Sequence, residues 1–227
     1  MDMKNLQTAC RSISRRWILL STSLLVLSFS AHLVNAQEPA TCSYNTWTWN
    51  VPKKRSENHQ RVVKPYSEIT AVEKDEQTGC TVCEEDQAWI EIAGIEKFRV
   101  CKRYQAEVSQ IIKTILKDGF PIYEVIGYRV GKSKGPVDEK GYRTQFSNHS
   151  FGTAIDLNRS RNGLYSNCFN FNAKCTLVLG GVWDPTRPGT ITQDSIVVQQ
   201  FKTMDWHWGG QIKGRQKDFM HFSPSGY

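Results

Sequence analysis

The sequence predicts an α+β fold in which a small antiparallel sheet with flanking helices surrounds a cleft, preceded by a disulfide-tied N-terminal arm. Three observations predict it. Short β-rich runs mix with two helix-patterned segments instead of alternating in regular βαβ units, and the chain has no internal repeat and no low-complexity tract. Its 227 residues, 39% of them hydrophobic, suffice for one domain of ordinary size with a short appendage.

Residues 1–36 read as a secretory signal peptide. Arg11, Arg15 and Arg16 precede an uncharged run from Trp17 to Phe29, and Val34-Asn35-Ala36 forms a small-residue cleavage site. Ser21, Ser23, Ser28 and Ser30 interrupt the run, which makes it a poor membrane span; contact with a membrane is expected only through this segment if it stays uncleaved. Ser14-Arg15-Arg16 also resembles a twin-arginine export signal, and the route of export stays open.

Residues 37–86 are polar, lack sustained periodicity and carry Pro52 and Pro65, which predicts an extended arm. The main domain spans 87–227. Ala88 to Ile95 and Phe98 to Cys101 read as a strand pair around Gly94. Val108, Ile111, Ile112 and Ile115 have helical spacing within a helix from about Tyr104 to Lys117, and Gly119 suits its stop. Residues 121–130 are β-rich, and 131–141 read as a loop. From Thr153 to Asn158 the pattern alternates, which buries Ile155 and Leu157 and aims Asp156 outward. Residues 180–185 are rich in turn formers, and Asp194 to Met204 reads as a short helix with Thr192 or Asp194 as N-cap.

Of seven cysteines, Cys10 lies in the signal, leaving Cys42, Cys80, Cys83, Cys101, Cys168 and Cys175. An even number in an exported chain favours three disulfides over a zinc knuckle or redox pair at Cys80-Thr-Val-Cys83. Cys168 and Cys175 are expected to close a local loop, with the other four stapling the N-terminal segment. The formal charge of +7 becomes +4 without residues 1–36, which hold four basic residues and one acidic. So mild an excess, with the Lys53-Lys54-Arg55 cluster free of interleaved aromatics, gives no reason to infer nucleic acid as a partner. A monomer is expected.

The chemistry concentrates in Ser147-Asn148-His149-Ser150-Phe151-Gly152-Thr153-Ala154-Ile155-Asp156 and in Lys217-Asp218-Phe219-Met220-His221-Phe222. Two imidazoles and a carboxylate suit a hydrolytic zinc ion, because they hold it while leaving a coordination position for water. The first segment resembles the S-x-H-x-x-G-x-A-x-D motif of the zinc peptidoglycan peptidases: D-Ala-D-Ala carboxypeptidases, D-Ala-D-Ala dipeptidases and L-Ala-D-Glu endolysins. Trp208-Gly209-Gly210 and the D-x-x-H-F run ending at Phe222 resemble elements of the endolysin-like branch. The likeness covers residues 122–222.

The resemblance implies that His149, Asp156 and His221 ligate Zn2+ and that Asp218 is the general base. Many relatives carry Glu at that position, and Asp is one methylene shorter. Asp218 could therefore orient His221 instead, with Asp205 as the alternative base. Arg129, in Gly127-Tyr128-Arg129, resembles the family's oxyanion-holding arginine, and the second Gly-Tyr-Arg makes Arg143 a rival. Ser147 is expected to hydrogen-bond near the metal loop without acting as a nucleophile, His207 and Trp208 are expected to line the cleft, and with Arg143 these residues are the substrate-binding candidates. The expected function is zinc-dependent hydrolysis of an amide bond in the peptidoglycan stem, as a carboxypeptidase or an endopeptidase, in the periplasm, cell wall or beyond. The rival reading is a non-catalytic zinc module that binds wall peptides.

Overall fold

The computed structural model describes residues 38–227; the expected signal peptide, 1–36, lies outside the described residues. The first described elements are β1 (Thr41–Asn50) and β2 (Arg55–Pro65), an antiparallel hairpin with a register shift between Thr46 and Thr48. The expected extended arm is therefore partly regular sheet. Its strand pattern was hidden because only one face of β1 is covered, by burial of Cys42 and Tyr44, while β2 is an edge strand exposed along most of its length. A strand wetted on both faces shows no period-two apolar signal.

Next comes the hairpin β3 (Gln87–Ile92) and β4 (Ile95–Cys101), turning at Gly94 as expected. Helix α1 (Gln105–Lys117) follows and buries Val108, Ile111, Ile112 and Ile115, the stripe that predicted it. Within the β-rich 121–130 segment only β5 (Val125–Ile126) is a strand. The expected loop at 131–141 instead contains β6 (Lys132–Val137), which pairs antiparallel with β7 (Arg143–Phe146) and meets β1 in parallel at Thr48 and Lys132. Tertiary pairing with the N-terminal hairpin overrides the Gly, Ser and Pro content there, giving a sheet of order β2-β1-β6-β7.

The second four-stranded sheet carries the motifs. It is formed by β5, β8 (Ile155–Leu157), β11 (His207–Trp208) and β13 (His221–Ser223), in the order β11-β13-β8-β5 and antiparallel at every pair. A third sheet joins β9 (Leu164–Ser166), β10 (Thr176–Leu179) and β12 (Gln216–Asp218). Helix α2 (Ile196–Lys202) buries Val197 and Phe201. Its N-cap is Ser195 in place of Thr192 or Asp194, and the Ser195 amide and hydroxyl both donate to the Thr192 carbonyl.

The main core packs one face of α1 and α2 against the motif sheet, with Ile112, Ile155, Leu157, Phe201, Trp206 and Phe222 among its members. A smaller cluster of Cys42, Tyr44, Val82, Cys83 and Val130 lies under the N-terminal hairpin. Disulfides join Cys42 to Cys83, Cys80 to Cys101 and Cys168 to Cys175, so the local loop and the N-terminal staples both form. No helix among the described residues is long and apolar enough to cross a membrane.

Candidate metal centre

Strand alternation builds the centre. On β8, Ile155 and Leu157 are both fully buried in the core, which sends Asp156 to the opposite face. In the antiparallel register His221 of β13 lies directly across from Asp156, so two residues 65 apart in sequence become cross-strand neighbours. Asp156 is not aimed outward to solvent as expected. It is 5% exposed, because His149 and His221 cover it.

His149 reaches the same point from a single helical turn, Asn148–Phe151, that precedes β8. Gly152 ends this turn at φ +66°, and a Cβ there would stand 2.0 Å from Gln87 Oε1 and 2.4 Å from the Cys101 amide nitrogen. Only glycine lets the loop lie this close to β4 in this conformation. The Gly152 carbonyl accepts from the Cys101 amide at 2.9 Å, which ties the loop to a disulfide-bonded residue.

The ligand atoms converge. His149 Nε2 lies 3.1 Å and His221 Nδ1 3.0 Å from Asp156 Oδ1, and one donor atom from each of the three residues falls within 4.8 Å of the others. His149 Nδ1 is 2.8 Å from the Gly127 carbonyl, a contact that makes Nδ1 the protonated nitrogen and turns the Nε2 lone pair inward. Two imidazole nitrogens and one carboxylate at this spacing fit a zinc ion, which takes this donor set with room for a further ligand.

The electrostatics agree with that use. Burial, reinforced by the Arg129 charge, pushes His149 down to about 4 against the pull of Asp156, so it is neutral and able to ligate at neutral pH. Burial opposes ionisation of Asp156, but its two histidine neighbours, His149 first and then His221, hold its carboxyl well below the usual carboxylate range.

Asp218 ends β12 beside this group. Burial first and the Asp156 charge second raise it to about 7, against the pull of His221 and Arg129. Its Oδ1 is shielded from solvent and has no hydrogen-bond partner, as does His221 Nε2. A carboxyl group with a free oxygen and a pKa near neutrality is suited to taking and returning a proton. Gly209 leaves room for it, since a Cβ at that position would stand 3.0 Å from Asp218 Cβ.

The remaining expected site residues divide. Arg129 lies at the centre: its Nη2 is 3.5 Å from Asp156 Oδ2, its amide donates to the His149 carbonyl at 3.1 Å, and its side chain is 38% exposed. Arg143 donates instead to the Gly135 carbonyl at 2.5 Å, within the β6–β7 hairpin. Ser147 is buried and starts the His149 turn, its hydroxyl 3.4 Å from that of Ser150. Trp208 does not line a cleft: it is buried in the core, and its indole donates to the Phe219 carbonyl at 2.8 Å. His207 and Asp205 are exposed. The residue reading missed the Gly127 carbonyl, a backbone group with no side-chain signal, and Lys134, which sat in a segment read as loop.

Comparison with known proteins gives one match. Residues 140–224 match the model of a family described as D-alanyl-D-alanine carboxypeptidase. No curated protein matches the chain, and no solved structure does. The matched segment, under half of the chain, contains His149, Asp156, Asp218 and His221, while Arg129 and the N-terminal hairpin lie outside it. The match supports a peptidoglycan-acting peptidase and is similarity over the C-terminal part of the chain, in the very strands that form the candidate centre.

Proposed function

We propose that this protein is an exported zinc peptidase that hydrolyses an amide bond in the peptide stem of peptidoglycan. The observation that carries the reading is the convergence of His149, Asp156 and His221 beside a carboxyl group held near neutrality with an unpaired oxygen. When bound by His149, Asp156 and His221, zinc supplies a Lewis acid that acidifies water and polarises the scissile carbonyl. Asp218 Oδ1 takes the proton of the attacking water and returns it to the leaving amine. Arg129, partly exposed and permanently charged, presents its remaining donors to the oxyanion that develops on the substrate.

The Asp218 environment favours the base role over mere orientation of His221, because neither Oδ1 nor His221 Nε2 has a partner and the two groups are not hydrogen-bonded to each other. The three disulfides suit an oxidising compartment, which agrees with export by the signal-like segment 1–36. Trp208 gives no lean toward the endolysin-like branch, since its burial explains the Trp-Gly-Gly element structurally.

A muropeptide digest with zinc-loaded protein, with and without chelator, tests the reading. Mass spectrometry is expected to show a new stem fragment that disappears on chelation, and its mass identifies the bond. Asp218→Asn is expected to lower kcat by ~10²–10⁴-fold with zinc content unchanged. Zinc bound at one ion per chain with no cleavage of any wall fragment would instead establish the non-catalytic module.

A further inference from the structure

Lys134 projects from β6 into the neighbourhood of the metal centre, where the charges of Asp218 and Asp156 act on it. Its ammonium donates to Asn148 Oδ1 at 3.1 Å and to the main-chain oxygen of Tyr227. Asn148 Nδ2 donates to the same Tyr227 oxygen at 2.7 Å. A cation and an amide, the amide one residue before His149, thus converge on one oxygen six residues after His221. The Tyr227 ring lies over the ammonium, 5.4 Å from Nζ, and the tyrosine hydroxyl donates to Gln216 Oε1 at 2.7 Å.

Burial pushes Lys134 down to about 8, so the fold holds an ammonium partly out of water, facing Asn148 Oδ1 and the Tyr227 main-chain oxygen. A charge so placed gains most from an anionic oxygen, and an amide N–H beside it fixes where that oxygen sits.

We propose that Lys134 Nζ and Asn148 Nδ2 form a subsite for a carboxylate of the substrate, with the Tyr227 main-chain oxygen standing in for one carboxylate oxygen. The proposal rests on the peptidase reading above and deepens it. A stem peptide offers this chemistry from two sources, the C-terminal carboxylate and the α-carboxylate of its D-Glu residue, and a substrate entering the subsite displaces the Tyr227 oxygen.

Three synthetic stem pentapeptides test it with the zinc-loaded full chain: one with both carboxylates free, one amidated at the C-terminus and one amidated at the D-Glu α-carboxyl. The expected result is a fall in kcat/KM of about tenfold or more for one of the two amidated peptides, carried by KM, and that peptide identifies the carboxylate bound. Lys134→Met is expected to bring the ratio of free to amidated substrate close to one, and Lys134→Arg to keep most of the preference. Equal cleavage of all three by the wild type, or an undiminished preference in Lys134→Met, overturns the subsite while leaving the peptidase reading intact. Cleavage of none of the three overturns both.

Discussion

The two ends of the described chain are held together by opposite means. The N-terminal hairpin and the turns after it, residues 41–86, rest on a small apolar cluster reinforced by two disulfides, one of them to Cys101 at the end of β4, and by buried polar contacts. Glu73, 5% exposed, accepts from Tyr44 Oη at 2.5 Å, Thr70 N at 2.8 Å and Lys64 Nζ at 2.5 Å. Although burial opposes its charge, these partners hold its pKa down at about 2. The C-terminal half instead surrounds the metal group with a broad apolar core in which Phe201 stacks on Phe222 at 4.4 Å and Phe219 on Trp183 at 4.4 Å. A segment too poor in apolar residues to bury a core is stapled and ion-paired; the segment that brings His149, Asp156 and His221 into register is packed.

The sharpest way to break this contrast is at the ligands. On the proposed function His149→Ala removes one of three metal ligands and is expected to lower peptidase activity by ~10³-fold or more, since a catalytic zinc would supply several kcal/mol of transition-state stabilisation. The disulfides and the N-terminal hairpin should be unaffected, as checked by thiol titration and far-ultraviolet circular dichroism.

Within the packed half, Ile112→Ala opens a cavity at a fully buried site between α1 and the sheets. It is expected to cost about 2–5 kcal/mol, measured by urea unfolding. The stapled half answers to redox chemistry: the double variant Cys42→Ser, Cys83→Ser is expected to lose about 2–4 kcal/mol. Treating the wild type with reductant should move its midpoint, whereas Ile112→Ala should shift reduced and oxidised protein alike.

Per pH unit the smallest effect is one of pH, and above pH 4.5, where the Glu73 contribution is already complete, it resides in the metal group. In chelator, His149 with a folded pKa of about 4 against 6.5 contributes stability that is present above pH 6.5 and lost as pH falls toward 4. Asp218 runs the other way: with a folded pKa of about 7 against 3.8, its contribution is present below 3.8 and lost as pH rises through 7. The two offset each other across pH 4 to 6.5 in the wild type. Asp218→Asn removes the second, so the metal-free variant is expected to lose up to ~1.4 kcal/mol per pH unit on acidification through that window. Urea midpoints against pH would show whether the slope steepens.

Legibility in the sequence followed the same division. The stripe of α1 and the alternation in β8 are periodic apolar signals, and both elements fall where those signals put them. The convergence of His149, Asp156 and His221 was readable because they sit in two short segments of distinctive type and spacing. Unreadable were features decided by long-range pairing. Strand β6 owes its state to β1 and β7, and the depth of Asp156 depends on His221 lying opposite it. Trp208 looked like a cleft aromatic for the same reason: only the fold reveals that its indole N–H is satisfied inside the core by the Phe219 carbonyl. Lys134 was hidden twice, by a segment read as loop and by partners, Asn148 and Tyr227, whose roles depend on tertiary approach.

The joint between Gly152 and Cys101 makes a disulfide part of the foundation of the candidate centre. The loop that carries His149 has its abutment at the end of β4, and that strand end is covalently fastened to Cys80. Breaking that covalent tie is expected to slacken the loop that carries His149 while leaving Asp156 and His221 paired across their strands, so zinc affinity measured with and without reductant should fall on reduction.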